Sequence, residues 1–229
     1  MKKIAIIAAL PGELKYLVRG WERLTCKTEL VVWRKTMSYG EIYAVAGGMG
    51  TAAATRALAA AEEAAGSIDR IISLGWAGAT SGRCELGKAY RVMGVVDVRT
   101  SERHRTAEGE EGLWLATSAV VAGEQEKQRL TASYNVSLVD MEASALARLA
   151  LMRDLPFDAV KGVSDGLGSK LPDFNRFVGR DQQLKMAAFV AHVLIRPWYW
   201  PGLIRMGDNS KRASRAMAEM VLDICRKQA

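Results

Sequence analysis

Four acidic residues stand out in this chain because each sits where an apolar run gives way to a turn or a helix. They are Glu13 in "IAIIAALPGEL", Asp140 and Glu142 in "VSLVDMEASALARLA", and Asp165 at the end of "PFDAVKGVSD". Other chemistry has little to draw on. The two histidines, His104 and His192, lie in unrelated contexts, so neither a Ser-His-Asp nor a Cys-His arrangement is expected. Cys26, Cys84 and Cys225 are odd in number, far apart and in none of the spacings that build a zinc site or a disulfide framework. They read as reduced thiols of a cytosolic protein, with no metal site. Acid-base work therefore falls to carboxylates. Each has a plain structural reading beside the chemical one. An acid in a first helical turn favours the helix dipole, which would account for Glu13 and Glu142. Asp is a preferred helix cap, which would account for Asp140 and for Asp165 ahead of "GLGSK".

A second candidate is the turn "GGMGTAA", where Gly48-x-Gly50-x-x-Ala53 matches the dinucleotide fingerprint and Asp69 falls about 20 residues on. The match is loose: it is not in the first strand-helix turn, and Asp69 precedes its strand instead of ending it. No nicotinamide or other organic cofactor is expected. The N–H groups at the head of the following helix, Gly50 among them, could still hold a phosphate or a ribose oxygen.

The elements that position these residues can be read from periodicity. "KIAIIAA" is a continuous apolar strand and "PGELKYLVR" a short helix with Pro11 near its start. Strands follow at "ELVVWRK" and "EIYAVAG", then the Ala-rich helix "TAAATRALAAAEEAAG", then strands at "DRIISLGWAG" and "AYRVMGVVDVR". Residues 101–112, "SERHRTAEGEEG", are polar and aperiodic and read as a surface loop whose length suits a lid. "LWLATSAVV" is strand-like and "EQEKQRLTA" helical. The strand and helix of "VSLVDMEASALARLA" and the strand "FDAVKGVSD" come next. Strands with apolar interiors alternating with helices predict a single-domain three-layer α/β/α fold with a mostly parallel mixed central sheet. In such sheets ligands sit beyond the strand ends, where Glu13, Gly50, Trp76, Gly78, Met141, Glu142, Ser164 and Asp165 all fall.

The composition agrees with one large core: 229 residues, 49% hydrophobic and 25% charged, without internal repeats. The net charge of +7 fits nucleic acid, an anionic membrane surface or a phosphate-bearing substrate. Its basic residues are dispersed and no nucleic-acid motif appears, so nucleic acid is not an expected partner. The start "MKKIAIIAALPGEL" imitates a signal peptide, but Pro11, Gly12 and Glu13 stand where a cleavage site should lie, and a buried first strand in a cytoplasmic protein is the better reading. Residues 1–195 form the expected main domain. Residues 196–229 are a basic, Trp-rich helical extension of it, in which Trp198, Tyr199 and Trp200 lie beside Arg196, Arg205, Lys211, Arg212 and Arg215. That mixture suits a segment lying on anionic lipid at the inner membrane face, or a tail packed on the domain or across a dimer.

The order "IAIIAALPGEL", "AVAGGMGTAAATRAL", "IISLGWAGA", "VDMEASALARLA" and "PFDAVKGVSD" resembles the nucleoside phosphorylase and nucleosidase superfamily, whose familiar members cleave adenine from methylthioadenosine and adenosylhomocysteine. The tail "IRPWYWPGLIRMGDNSKRASRAM" is similar to the hopanoid-associated phosphorylase subgroup, implied to remove adenine from adenosylhopane. The resemblance implies a nucleoside phosphorylase-like fold, a homodimer and a nucleoside substrate. Breaking an N-glycosidic bond builds an oxocarbenium-like sugar and needs negative charge near the ribose and a proton for the departing base. It further implies that Glu142 binds the ribose hydroxyls and Met141 packs beneath the sugar. By the same resemblance Asp165, oriented by Ser164, would hydrogen-bond the purine at N7 and its exocyclic amine, and Glu13 would handle the attacking water. To donate a proton near neutral pH, Asp165 would need a raised pKa, which burial could supply.

The pattern is departed from in several places. Trp76 in "SLGWAGA" stands where relatives usually carry a small or hydroxyl residue near the sugar and phosphate side, so an indole should reshape the pocket or pack in the core. "VVAGEQEKQ" lacks the aromatic pair that the methylthioadenosine enzymes set against the base, leaving Glu124 and Gln125 as weak base contacts. No arginine stands at the first glycine turn, and Arg56 is a turn or more into its helix. The expectation is a purine nucleosidase that cuts adenine from an adenosine carrying an apolar 5′ substituent. Phosphorolysis to ribose-1-phosphate and a non-catalytic nucleoside- or lipid-binding protein are the alternatives.

Overall fold

The structure is a computed structural model that describes residues 1–26, 29–169, 171–177 and 186–227. Among the described residues, ten strands and six α-helices follow one another: β1 (Lys2–Ala8), α1 (Pro11–Leu14), β2 (Glu22–Thr25), β3 (Val31–Met37), β4 (Gly40–Ala46), α2 (Thr51–Ala65), β5 (Arg70–Ala79) and β6 (Ala89–Asp97). They continue with β7 (Arg103–Arg105), β8 (Glu110–Thr117), α3 (Glu124–Tyr134), β9 (Leu138–Asp140), α4 (Ala143–Met152), β10 (Phe157–Asp165), α5 (Met186–Leu194) and α6 (Trp200–Lys227). Short 3-10 turns span Phe174–Phe177 and Pro197–Tyr199.

All ten strands belong to one mixed sheet. Its centre is parallel: β1 pairs with β4 and β5, and β5 with β10, so the carboxyl ends of these four strands lie along one rim. β10 then pairs antiparallel with β6, β6 parallel with β8, β8 parallel with β9, and β9 antiparallel with β5. The β5, β10, β6, β8 and β9 strands thus close on themselves, while β3 and β2 extend the open wing beyond β4 through antiparallel pairs. Closure satisfies strand edges that an open sheet would leave unpaired.

Ile4 to Ala8 are buried without a break because helices cover both faces, which is why β1 reads as an apolar run instead of an alternating one. One face holds Ala5, Ile7, Ile71 and Ala159 against α2 and α4. Seven residues of α2, all alanine except Leu58, are buried, and their small side chains let the helix lie close to the strands. The other face holds Ile6, Ile72, Leu74 and Val160 against Leu14 and the inner stripe of α6. A smaller cluster of Val96, Ala116, Leu130, Val136 and Val139 lies under α3.

Two sequence expectations change here. Residues 101–112 are not a lid. Arg103 to Arg105 add a strand to the edge of β6, and β8 already begins at Glu110. The polar letters concealed pairing, with His104 partly buried and the Arg103 guanidinium 4.8 Å from the Trp114 ring centroid. The helix at "PGELKYLVR" stops at Leu14 and passes into turns. The tail divides. From Asn209 to Cys225 the inner face of α6 is buried, so most of that helix is core, whereas Trp198, Trp200 and Ile204 at its start are exposed. Gln228 and Ala229 lie outside the described residues.

Candidate active site

Beyond the parallel strand ends lies a cavity of about 560 Å³. Its lining includes Glu13, Trp76, Gly78, Met141, Glu142, Ser164 and Asp165, seven of the eight residues singled out from sequence. Gly50, the eighth, is not on the wall. Its N–H is engaged by Glu142 Oε1 at 2.6 Å, so it steadies an acid of the cavity and is not a free anion donor.

Glu13 is buried, which removes the reading of an ordinary surface glutamate. Pro11 starts a single helical turn, and Glu13 reaches back to the turn's entry: Oε2 accepts N–H bonds from Ala9 at 2.9 Å and Leu10 at 2.7 Å. Oε1 accepts the N–H of Trp76 at 2.7 Å, tying the β1 turn to β5. Burial raises its pKa, against the opposing pull of those N–H groups and of the Lys161 cation.

β9 ends at Asp140, and its buried carboxylate organises the start of α4. Oδ1 accepts from Thr117 Oγ1 at 2.7 Å, while Oδ2 accepts the N–H of Ala143 at 3.0 Å and pairs with Lys161 Nζ at 2.8 Å. Asp140 is thus a helix-end partner that also touches the cavity. Glu142 turns inward from the N-cap position of α4. Burial, and then the neighbouring Asp140 charge, push its pKa up to about 8, against the Gly50 N–H and Lys161.

In β10 the pairing with β5 shifts register between Val163 and Asp165. Such a bulge re-aims side chains. Ser164 Oγ lies 2.7 Å from Asp165 Oδ1 and 3.3 Å from the Ala77 carbonyl. Asp165 Oδ2 is paired with the ammonium of Lys127 from α3. The sequence reading of Asp165 invoked burial alone and did not foresee this cation at the carboxylate.

Lys127 and Lys161 were missed by the sequence reading. Both are buried, and each brings a cation to an acid of the cavity, Lys127 to Asp165 and Lys161 to Asp140. Lys161 also donates to Ser73 Oγ at 2.9 Å. The available signal was a lysine inside the apolar run "FDAVKGV", a position where an unpaired charge would be costly.

The remaining candidates separate. The Trp76 indole N–H donates to Ser214 Oγ at 2.9 Å and lies 3.2 Å from the Ser210 carbonyl, so the ring fastens α6 to the rim of the cavity. Glu124 lines the cavity and Gln125 does not. Arg56 is exposed on α2 and does not line the cavity. Asp69 accepts the N–H of Lys3 at 2.7 Å, at the opposite end of the strands from Gly48 and Gly50, so the dinucleotide fingerprint does not assemble.

Residues 98–195 match the family model described as the phosphorylase superfamily. That match covers less than half of the chain. Similar solved structures include a futalosine hydrolase of Helicobacter pylori, with a TM-score of 0.72, 13% identity and coverage of 100% of this chain and 98% of that one. A 5′-methylthioadenosine/S-adenosylhomocysteine nucleosidase of the same organism gives a TM-score of 0.70 at 13% identity, covering 100% and 99%. An S-adenosylhomocysteine nucleosidase of Streptococcus pyogenes gives 0.71 at 17%, covering 96% and 94%. No curated protein matches the chain in sequence. At these identities the likeness shows the fold alone, and the chemistry must be argued from the cavity itself.

Proposed function

We propose that this protein is a purine nucleosidase that breaks the N-glycosidic bond of an adenosine-type nucleoside bearing an apolar 5′ substituent. The observation that carries the reading is that Glu13, Glu142 and Asp165, brought from three distant parts of the chain, line one cavity. As the C1′–N9 bond breaks, its electrons stay with the purine and positive charge gathers on the sugar. Carboxylates at the sugar end stabilise that cation in surroundings that screen charge poorly. Glu142 takes the ribose hydroxyls, Met141 packs beneath the ring, Glu13 holds the water that attacks C1′, and Asp165 with Ser164 acts on the departing base.

Water is the acceptor in this reading. Among the described residues the lining's basic side chain, Lys127, is already paired with Asp165, so the wall offers a phosphate dianion no uncommitted cation. Leu10, Met49, Leu171, Phe174 and Met206 supply an apolar stretch of wall suited to the 5′ group, of which the hopanoid chain implied by the resemblance is one case. The exposed Trp198, Trp200 and Ile204 lie beside Arg196 and Arg205, close in sequence to Met206. This is the edge we assign to an anionic membrane that delivers such a substrate. The enzyme works without an organic cofactor, as a homodimer in the cytoplasm. No helix among the described residues is long and apolar enough to cross a membrane.

The test is chromatographic. Incubation with 5′-alkylthioadenosines should release free adenine and the free sugar, at a rate independent of added phosphate. A sugar phosphate formed only with phosphate would make the protein a phosphorylase. Absence of free base with any adenosylated compound would leave a nucleoside- or lipid-binding protein.

A further inference from the structure

Lys127 is a buried lysine on the cavity wall that the reaction outlined above does not require. Its ammonium is paired with Asp165 Oδ2 and donates to the Gly166 carbonyl at 3.0 Å, and its third N–H has no partner among the described residues. The Asp165 carboxylate, with Ser164 Oγ on Oδ1, retains further lone pairs to accept with. Gly78 makes the room: a Cβ there would stand 2.8 Å from Lys127 Cε, 3.0 Å from its Nζ and 3.3 Å from Asp165 Oδ2. Three separate stretches, in α3, β5 and β10, therefore keep a donor and an acceptor side by side at the cavity. Taking both charges out of water costs several kcal/mol that only close pairing and further hydrogen bonds offset. A residue with no part in ligand recognition could fill this place more cheaply as an apolar side chain.

An ammonium beside a carboxylate matches one purine edge and not another. Along the edge carrying N7 and the 6-substituent, adenine presents an acceptor and then a donor, whereas a 6-oxopurine presents two acceptors. We infer that Lys127 hydrogen-bonds N7 of the bound base while Asp165 accepts from its 6-amino group, so that this ion pair selects 6-aminopurines over 6-oxopurines. The inference rests on the purine nucleosidase reading and divides between two residues the contacts that the resemblance assigns to Asp165 alone.

Calorimetric titration of the wild-type protein, Lys127→Met and Asp165→Asn with adenine, 7-deazaadenine and hypoxanthine tests it, 7-deazaadenine carrying a C–H where adenine has N7. The wild-type protein should bind adenine about 10–100-fold more tightly than 7-deazaadenine, the factor a charged hydrogen bond is worth, and about tenfold or more above hypoxanthine. Lys127→Met should bring adenine and 7-deazaadenine to within about threefold of each other. Asp165→Asn should retain the preference for N7 and lose the discrimination against hypoxanthine, because an amide can turn its N–H toward O6. This second variant keeps the test decisive if Lys127→Met does not fold. Equal binding of adenine and 7-deazaadenine by the wild-type protein, or loss of the N7 preference in Asp165→Asn, overturns the role of Lys127 and leaves the nucleosidase reading standing. Failure of the folded wild-type protein to bind any of the three bases overturns both.

Discussion

Asp140 and Glu142 sit two residues apart with one buried cation, Lys161, beside them, and that arrangement makes the end of the cavity we assign to the sugar sensitive to pH. Glu142 is displaced from an ordinary value of 4.5 to about 8, so it carries its charge only as the pH rises through that region. If Glu142 must be ionised to face the sugar cation, kcat/KM should rise with pH through about 8. Asp140→Asn removes the like charge and frees Lys161, and should move that limb to lower pH; a limb that stays in place would separate Glu142 from catalysis. The same displacement acts on stability with the opposite sign. The folded state binds this proton more tightly than the unfolded chain, so the contribution is complete below about pH 4.5 and is lost as pH climbs through about 8. Glu142→Gln should therefore flatten the decline in Tm across that window, as calorimetry at several pH values would show. At the other end of the cavity, Asp165→Asn should lower kcat by about 10²–10⁴-fold, the range for loss of a positioned polar group acting on the departing base, and should lower Tm as well, because Lys127 loses its charged partner. Near-normal turnover in that variant would remove Asp165 from the reaction.

Trp76 shows how an element is held to the site. Its backbone N–H binds Glu13 while its indole N–H binds Ser214 on α6, so one residue links that buried acid to α6. Trp76→Phe should cost about 1–2 kcal/mol in urea unfolding from the lost indole bonds alone, and a neutral result would mean α6 is held by packing only. The elements around the site were legible where local physics decides them. Continuous apolar runs marked β1, β5 and β10, alanine spacing marked α2, and a strand running into a helix at Asp140–Glu142 marked the floor of the cavity. What stayed hidden depends on distant partners. β7 looks like a loop until β6 lies beside it, and the closure of β10 onto both β5 and β6 leaves no local pattern. The roles of Lys127 and Lys161 depend on acids that arrive from other strands, Asp165 and Asp140. Gly50 was found as part of a turn, but its use, an N–H for Glu142, required knowing where residue 142 would land.

At the scale of the whole molecule, α6 does two jobs along its length. Its buried stripe completes the core against β10 and β5, so deleting residues 197–229 would unfold the protein and could not test a membrane role. Point changes can. Trp198→Ser, Trp200→Ser and Ile204→Ser together should reduce sedimentation with vesicles containing anionic phosphatidylserine several-fold, with Tm kept within a few degrees, because all three side chains are exposed. Unchanged sedimentation would make that edge a contact for another protein surface. Closure of the sheet holds β5, β9 and β10 in fixed relation, and β1 pairs directly with β5, so three acids separated by more than 150 residues share one cavity. The account stands on that convergence. A crystal structure of Asp165→Asn soaked with a 5′-alkylthioadenosine examines it directly. Ribose hydroxyls hydrogen-bonded to Glu142, the purine edge against residues 127 and 165, and a water on Glu13 facing C1′ are the predicted result; a nucleoside bound outside the cavity, or lying with its base toward Glu13, would contradict it.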